Sequence, residues 1–239
     1  MPSDRLGAWL QGHTQGRLTW QTTSLGWEGL RLGMVRVIPP IFTPDREIEQ
    51  ILLRPLILPL FLGKLGVRYQ VGMDFAKLDG TVTWNGQKGR LEWQARMDDS
   101  SKLAALMLGP MGNEVKGKGD GSGWFNVTRT EIEEGEGEIQ WRGLSAFGAK
   151  IEPFTLNTTV KEKNVLEIKL AGKGEIAVSG KLTLNVMMAN LDSSAIRGEV
   201  LIQPIKSNLP GLAGQFLAKG QPVRFIVSGS VTNLQWRVQ

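Results

Sequence analysis

Strict two-residue alternation restricts this chain more than any other feature. Within residues 65–73, Leu65, Val67, Tyr69, Val71 and Met73 share one parity, and Gly66, Arg68, Gln70 and Gly72 the other. Only an extended strand sends successive side chains to opposite sides, so this stretch reads as a half-buried strand. Residues 175–188 repeat the pattern, with Ile176, Val178, Leu182, Leu184, Val186 and Met188 on one side and Glu175, Ser179, Lys181, Thr183 and Asn185 on the other. Gly180 takes a core-side position there, which points to a bend or bulge. Val223, Phe225 and Val227, then Leu234, Trp236 and Val238, predict two closing strands around a turn at 229–233.

A pentapeptide, Gly-x-aliphatic-x-Trp, occurs at 16–20, 80–84, 89–93 and 137–141. In a strand its aliphatic and its tryptophan face the same way, which suits core partners on a sheet of similar hairpins or, alternatively, an aromatic ligand platform. Glycine supplies 30 of 239 residues, roughly twice average usage, without a Gly-x-y period. Such an excess serves turns, bulges and close strand contacts.

Three apolar stretches break the alternation, at 56–63, 101–109 and 209–220, each ending on a glycine suited to stop a helix. Residues 38–44 hold three prolines and read as a rigid loop; 109–123, with glycines at 117, 119, 121 and 123, reads as a hairpin tip or a thin strand. No stretch reads as an interdomain linker. The expected fold is mainly β: one domain over 1–239, an extended, twisted antiparallel sheet, groove-like or half-barrel, whose apolar face is partly covered by a few short helices.

The residue inventory argues against catalysis. His13 is the only histidine and sits in a polar stretch, and cysteine is absent, so the usual nucleophile–base pairs and zinc or iron ligand sets cannot be assembled. Asp74, Asp79, Asp98 and Asp99 lack calcium-loop spacing and read as turn residues. The glycine-rich 117–123 lacks the lysine–hydroxyl order of a phosphate loop. No metal or cofactor is expected. The net charge of +5 is spread singly along the chain, while Glu131, Glu133, Glu134, Glu136 and Glu138 cluster, so nucleic acid is not an expected partner. The longest apolar run, 51–62, contains Arg54, Pro55 and Pro59 and falls well short of the ~20 residues that span a bilayer.

Several segments together resemble the protein N family of bacterial type II secretion systems and, through it, the AsmA-like group of periplasmic β-sheet proteins. They are 54–69 (Arg-Pro-Leu-Ile-Leu-Pro-Leu-Phe-Leu-Gly-Lys-Leu-Gly-Val-Arg-Tyr), 78–82 (Leu-Asp-Gly-Thr-Val), 135–144, 174–184 and 223–231. They span most of the chain in family-like order and consist of glycines and aliphatics. The resemblance implies a non-catalytic accessory component of the secretion apparatus, acting in the periplasm through contacts with other components. It also implies an N-terminal inner-membrane helix in the full-length product that 1–239 lacks. The alternative, from the AsmA-like side, is a carrier or bridge for lipid or another apolar ligand along a hydrophobic sheet groove. Expected partner- or lipid-contact residues are Leu56, Leu58, Leu60, Phe61, Leu62, Leu182, Leu184, Leu212 and Phe216, and a membrane surface is a further expected partner of the first five.

Overall fold

Alternating stretches joined by short turns fold into consecutive hairpins, and a computed structural model shows that arrangement for residues 18–37, 46–102, 104, 109–206, 209, 217, 221–231 and 233–239. The strands are β1 (Leu18–Thr19), β2 (Thr22–Gly26), β3 (Gly29–Val37), β4 (Arg46–Pro55), β5 (Leu65–Gly72), β6 (Ala76–Trp84), β7 (Gly89–Met97) and β8 (Val115–Val127). There follow β9 (Ile132–Ala146), β10 (Ala149–Glu162), β11 (Val165–Gly174), β12 (Ile176–Asn185), β13 (Ala195–Pro204), β14 (Val223–Ser230) and β15 (Asn233–Val238). All lie in one antiparallel sheet. From β3 to β15 each strand pairs with its neighbours in sequence, while β1 and β2 share the outer side of β3. Among the described residues β15 pairs only with β14, and no described strand closes the sheet into a barrel.

The turns explain the meander. Asn85 accepts hydrogen bonds from the N–H groups of Gln87 and Lys88 through its side-chain oxygen, a local turn that reverses β6 into β7. Phe147 and Gly148 both have positive φ, 54° and 89°, the backbone of a tight hairpin turn between β9 and β10.

Residues directly opposite in an antiparallel pair share a face, so the register can be followed from strand to strand. One row runs Leu25, Leu30, Leu53, Tyr69, Gly80, Trp93, Gly123 across β2–β8. It continues as Gly137, Thr158, Ile168, Leu182, Gly198, Val227, Trp236 across β9–β15. The row one residue along, on the opposite face, includes Gln70, Asp79, Gln94, Ser122, Glu138, Asn157, Lys169, Lys181 and Glu199. The hairpins are therefore in phase, with one continuous apolar face and one polar face.

Glycines on the apolar face lie under aromatic rings from adjacent strands. Tyr69 lies over Gly80, Trp84 over Gly89, Trp141 over Gly119 and Phe154 over Gly172. Trp93 covers both Gly123 and Gly137, where an added Cβ would stand 2.8 Å and 2.7 Å from its ring atoms. The pentapeptide thus has a physical meaning at 80–84, 89–93 and 137–141. Its glycine leaves the gap and a ring from the next strand, or for Gly137 from the strand beyond it, fills it, restoring contacts that a glycine-rich strand would lack. Trp141 also meets Phe154 edge-on at 5.3 Å between centroids.

Burial is uneven along this face. Toward the C-terminal half, Leu144, Ile151, Ile176, Val178, Leu182, Val200 and Val227 form the main core, with Leu217 and Leu209 packed onto it. A smaller core of Leu30, Leu32 and Val35 sits on β3. Between them, no side chain on the apolar face of β5–β8 is buried, and element contacts are almost entirely between sheet neighbours.

The helices correct the sequence reading. Helix α1 (Ile57–Phe61) forms within 56–63, but it does not cover the apolar face. It stands on the polar side, where Gly66 leaves a slot: a Cβ there would be 2.7 Å from Pro59 Cγ and 3.0 Å from Leu56 Cβ. Of 101–109, residues 101, 102 and 104 are helical, and a 3-10 turn occupies Gly109–Glu114. Of 209–220, only Leu209 and Leu217 are described, both on the main core. The glycine-rich 117–123 is a thin strand inside β8, not a hairpin tip. β12 ends at Asn185, short of the expected 188, where Val186 donates its N–H to Asn164 O in the next turn. His13 and the proline loop 38–44 lie outside the described residues.

Candidate interaction surfaces

Four features stand out. The first is the uncovered middle of the apolar face, where Val71, Leu78, Val82, Leu91, Trp93 and Phe125 are half-buried, while Leu65 and Val67 at its margin are exposed. Ordinary sheets bury such a face against a second layer; among the described residues none is present here.

The second is the end of the sheet formed by the β2–β3 turn and the β4–β5 connection. Trp27 is 96% exposed and Phe61 83%, and Ile57, Leu58, Leu60 and Leu62 are exposed beside them. α1 buries none of its own residues. The connection is pinned beneath by Leu56 N–H donating to Gly66 O at 2.8 Å and by Lys64 N–H donating to Pro59 O at 2.9 Å. The apolar side chains are therefore held outward on a fixed backbone.

The third is β15, an edge strand whose outer backbone groups pair with no described strand. Leu234, Trp236 and Val238 lie on the apolar face, Trp236 and Val238 exposed; Gln235 and Arg237 lie on the other.

The fourth is a shallow hollow of about 600 Å³ on the polar face, lined by Arg68, Thr81, Arg90, Glu92, Trp124 and Glu136 among others. Apart from Arg68, the side chains named here are partners of one another. Arg90 Nε donates to Glu92 at 2.8 Å and its guanidinium lies 4.4 Å from the Trp124 ring centroid. Thr81 donates to Glu92, and Trp124 Nε1 donates to Glu136. The Arg90 hydrogen bond chiefly holds the Glu92 carboxyl below its usual value, although burial opposes the shift.

No protein-family model matches the chain, and neither a curated protein nor a solved structure matches it.

Of the residues singled out from sequence, Leu56, Leu58, Leu60, Phe61 and Leu62 come together at the α1 end, with Leu56 partly covered and the other four exposed. Leu182 is 8% exposed and lies inside the main core, so it packs the fold and offers no open surface; Leu184 beside it is half-buried. Leu212 and Phe216 lie outside the described residues. Sequence reading missed Trp27, which α1 joins only through strand pairing; it expected contacts through sheet edges but did not single out β15. It also missed the half-buried row of Val71, Leu78, Val82 and Leu91. Their alternation was legible, whereas the absence of a covering layer was not. The acidic run resolves into exposed Glu134, Glu136 and Glu138 on the polar face, with Glu131 and Glu133 each 2.7 Å from a lysine, Lys163 and Lys88.

Among the described residues, no group of three or more His, Asp or Glu is placed to hold a metal ion, and no helix is long and apolar enough to cross a membrane.

Proposed function

We propose that this chain is a non-catalytic accessory component of a bacterial type II secretion apparatus, working in the periplasm through contacts with other components of that machine. The family resemblance of 54–69, 135–144, 174–184 and 223–231 supplies the machine, and with it an inner-membrane anchor for the full-length product. The observation that carries the mode of action is the β15 edge. A strand whose outer backbone groups pair with no described residue, and which carries an exposed row of Trp236 and Val238, is an aggregation hazard unless a partner strand completes it. Alternating side chains would read the partner, with Trp236 and Val238 on one side and Gln235 and Arg237 on the other.

A photo-crosslinking residue at Gln235, whose side chain is exposed, tests this in cells carrying the apparatus. The expected result is one dominant adduct with a secretion component. Adducts no more specific than those from an equally exposed residue on the polar face, such as Gln140, would refute the edge as the contact.

A second reading, carriage of lipid or another apolar ligand, is favoured by the face of β5–β8, which no layer of described residues covers. Native mass spectrometry with organic extraction tests it. Stoichiometric lipid that disappears in a folded Val82→Glu variant supports carriage, and a clean apo mass counts against it.

A further inference from the structure

We infer that the α1 end of the sheet is a docking site for an anionic lipid bilayer. Its apex consists of Trp27, Ile57, Leu58, Phe61 and Leu62, all strongly exposed, on the β2–β3 turn and the β4–β5 connection at one end of the sheet. Apart from Pro59, which seats on Gly66, the apolar side chains of α1 stay largely in water, so most of their free energy of burial is recovered only when something covers them. The knob is convex and short. Five helical residues make a helix only about 7.5 Å long, and exposed apolar side chains of this kind enter the headgroup and acyl boundary to a depth of ~5–10 Å. Trp27 suits that boundary, with an apolar ring and one N–H donor.

Charge selects the occupant. Arg54 and Arg68 stand directly opposite each other across β4–β5, and Lys64 follows the helix; all three are exposed. Like charges directly opposite destabilise a sheet. Among the described residues none of the three makes an ion pair, while the nearby Glu28 is already tied to Arg31 at 3.1 Å. An apolar apex beside exposed cations that make no ion pair is complementary to anionic headgroups over an acyl layer. Docked in this way, the β2–β5 end of the sheet faces the membrane. The inference does not depend on the secretion partner or on carriage of a ligand.

The test is flotation of the whole chain with phosphatidylcholine vesicles carrying phosphatidylglycerol, and with phosphatidylcholine alone, at low and high salt. The expected result is binding to the anionic vesicles that weakens as salt shortens the screening length. Binding should fall at least tenfold in a Leu58→Asp, Phe61→Asp variant and several-fold in Lys64→Glu. Circular dichroism and urea midpoints verify folding; should the double variant unfold, Phe61→Ser replaces it with the same expected direction. Three outcomes overturn the inference: no flotation of the wild type, equal flotation of wild type and apex variants, or salt-independent binding to neutral vesicles. Because only purified lipid is present, failure of the β15 crosslink leaves this result untouched. Protein capture through the apex without flotation assigns it to a protein partner instead.

Discussion

Replacing Gly137 with alanine should destabilise the protein, and replacing Trp93 as well should reverse the sign of that effect. In the native sheet a Cβ at Gly137 would stand 2.7 Å from Trp93 Cζ2, about 0.8 Å inside normal carbon–carbon contact, with its next neighbour, Ser122 O, at 3.5 Å. The obstacle is therefore the indole ring, not backbone. Overpacking of this kind costs about 1–3 kcal/mol, offset by about 0.5–1 kcal/mol because alanine loses less backbone freedom than glycine on folding. The net expectation for Gly137→Ala is a loss of about 1–2 kcal/mol. Trp93→Ala removes a half-buried ring and should cost about 2–3 kcal/mol, less than full burial would imply. With the ring absent, Gly137→Ala should stabilise by about 0.5–1 kcal/mol, giving a coupling of about 2 kcal/mol. Urea unfolding with an m-value near 3 kcal/mol/M reads this as a midpoint difference of about 0.7 M. Gly123→Ala is the internal control: its Cβ would meet Glu136 O at 2.5 Å and Gly137 Cα at 2.7 Å, so it should destabilise in both backgrounds. Equal effects of Gly137→Ala with and without Trp93 would refute the view that these glycines exist to seat aromatic rings.

Three other measurements follow from the same geometry. Glu167 accepts hydrogen bonds from Lys181, the largest influence, and from Lys169, with Lys161 at 3.5 Å; together they hold its carboxyl at about 2. A depressed folded value means stability present above the unfolded value near 4.5 and lost as pH falls toward 2, so Glu167→Gln should flatten the pH dependence of the urea midpoint across that window. Tyr69, the chain's one tyrosine, is raised above its usual value by burial and then by Asp79, and its hydroxyl donates to Glu92 O at 3.2 Å; alkaline absorbance titration should give a single midpoint above that of free tyrosine, and a midpoint at or below it would contradict the packing of Tyr69 over Gly80. Val227, 1% exposed, should cost about 2 kcal/mol on change to alanine, whereas Phe61→Ser should shift stability by no more than about 0.5 kcal/mol, a contrast that chemical denaturation resolves directly.

Alternation at 65–73, 176–184 and 223–238 determined by itself that the chain forms antiparallel strands with one apolar side, because parity is a local property of an extended backbone. The turn expected at 229–233 was likewise legible, since turns are closed by residues a few positions apart, and β14 and β15 do meet there. Tertiary structure alone decided what those sides meet. Leu182 and Val82 are both alternating aliphatics on one face, yet Leu182 is buried among Ile168, Val200 and Val227 while Val82 is half-buried with no layer of described residues above it. The apolar run 56–62 carries no mark that Gly66 would seat Pro59 and turn Phe61 outward, or that strand pairing would bring Trp27 alongside. Propensity and parity act along the chain, whereas coverage depends on which distant segments reach a surface, and no local pattern encodes that.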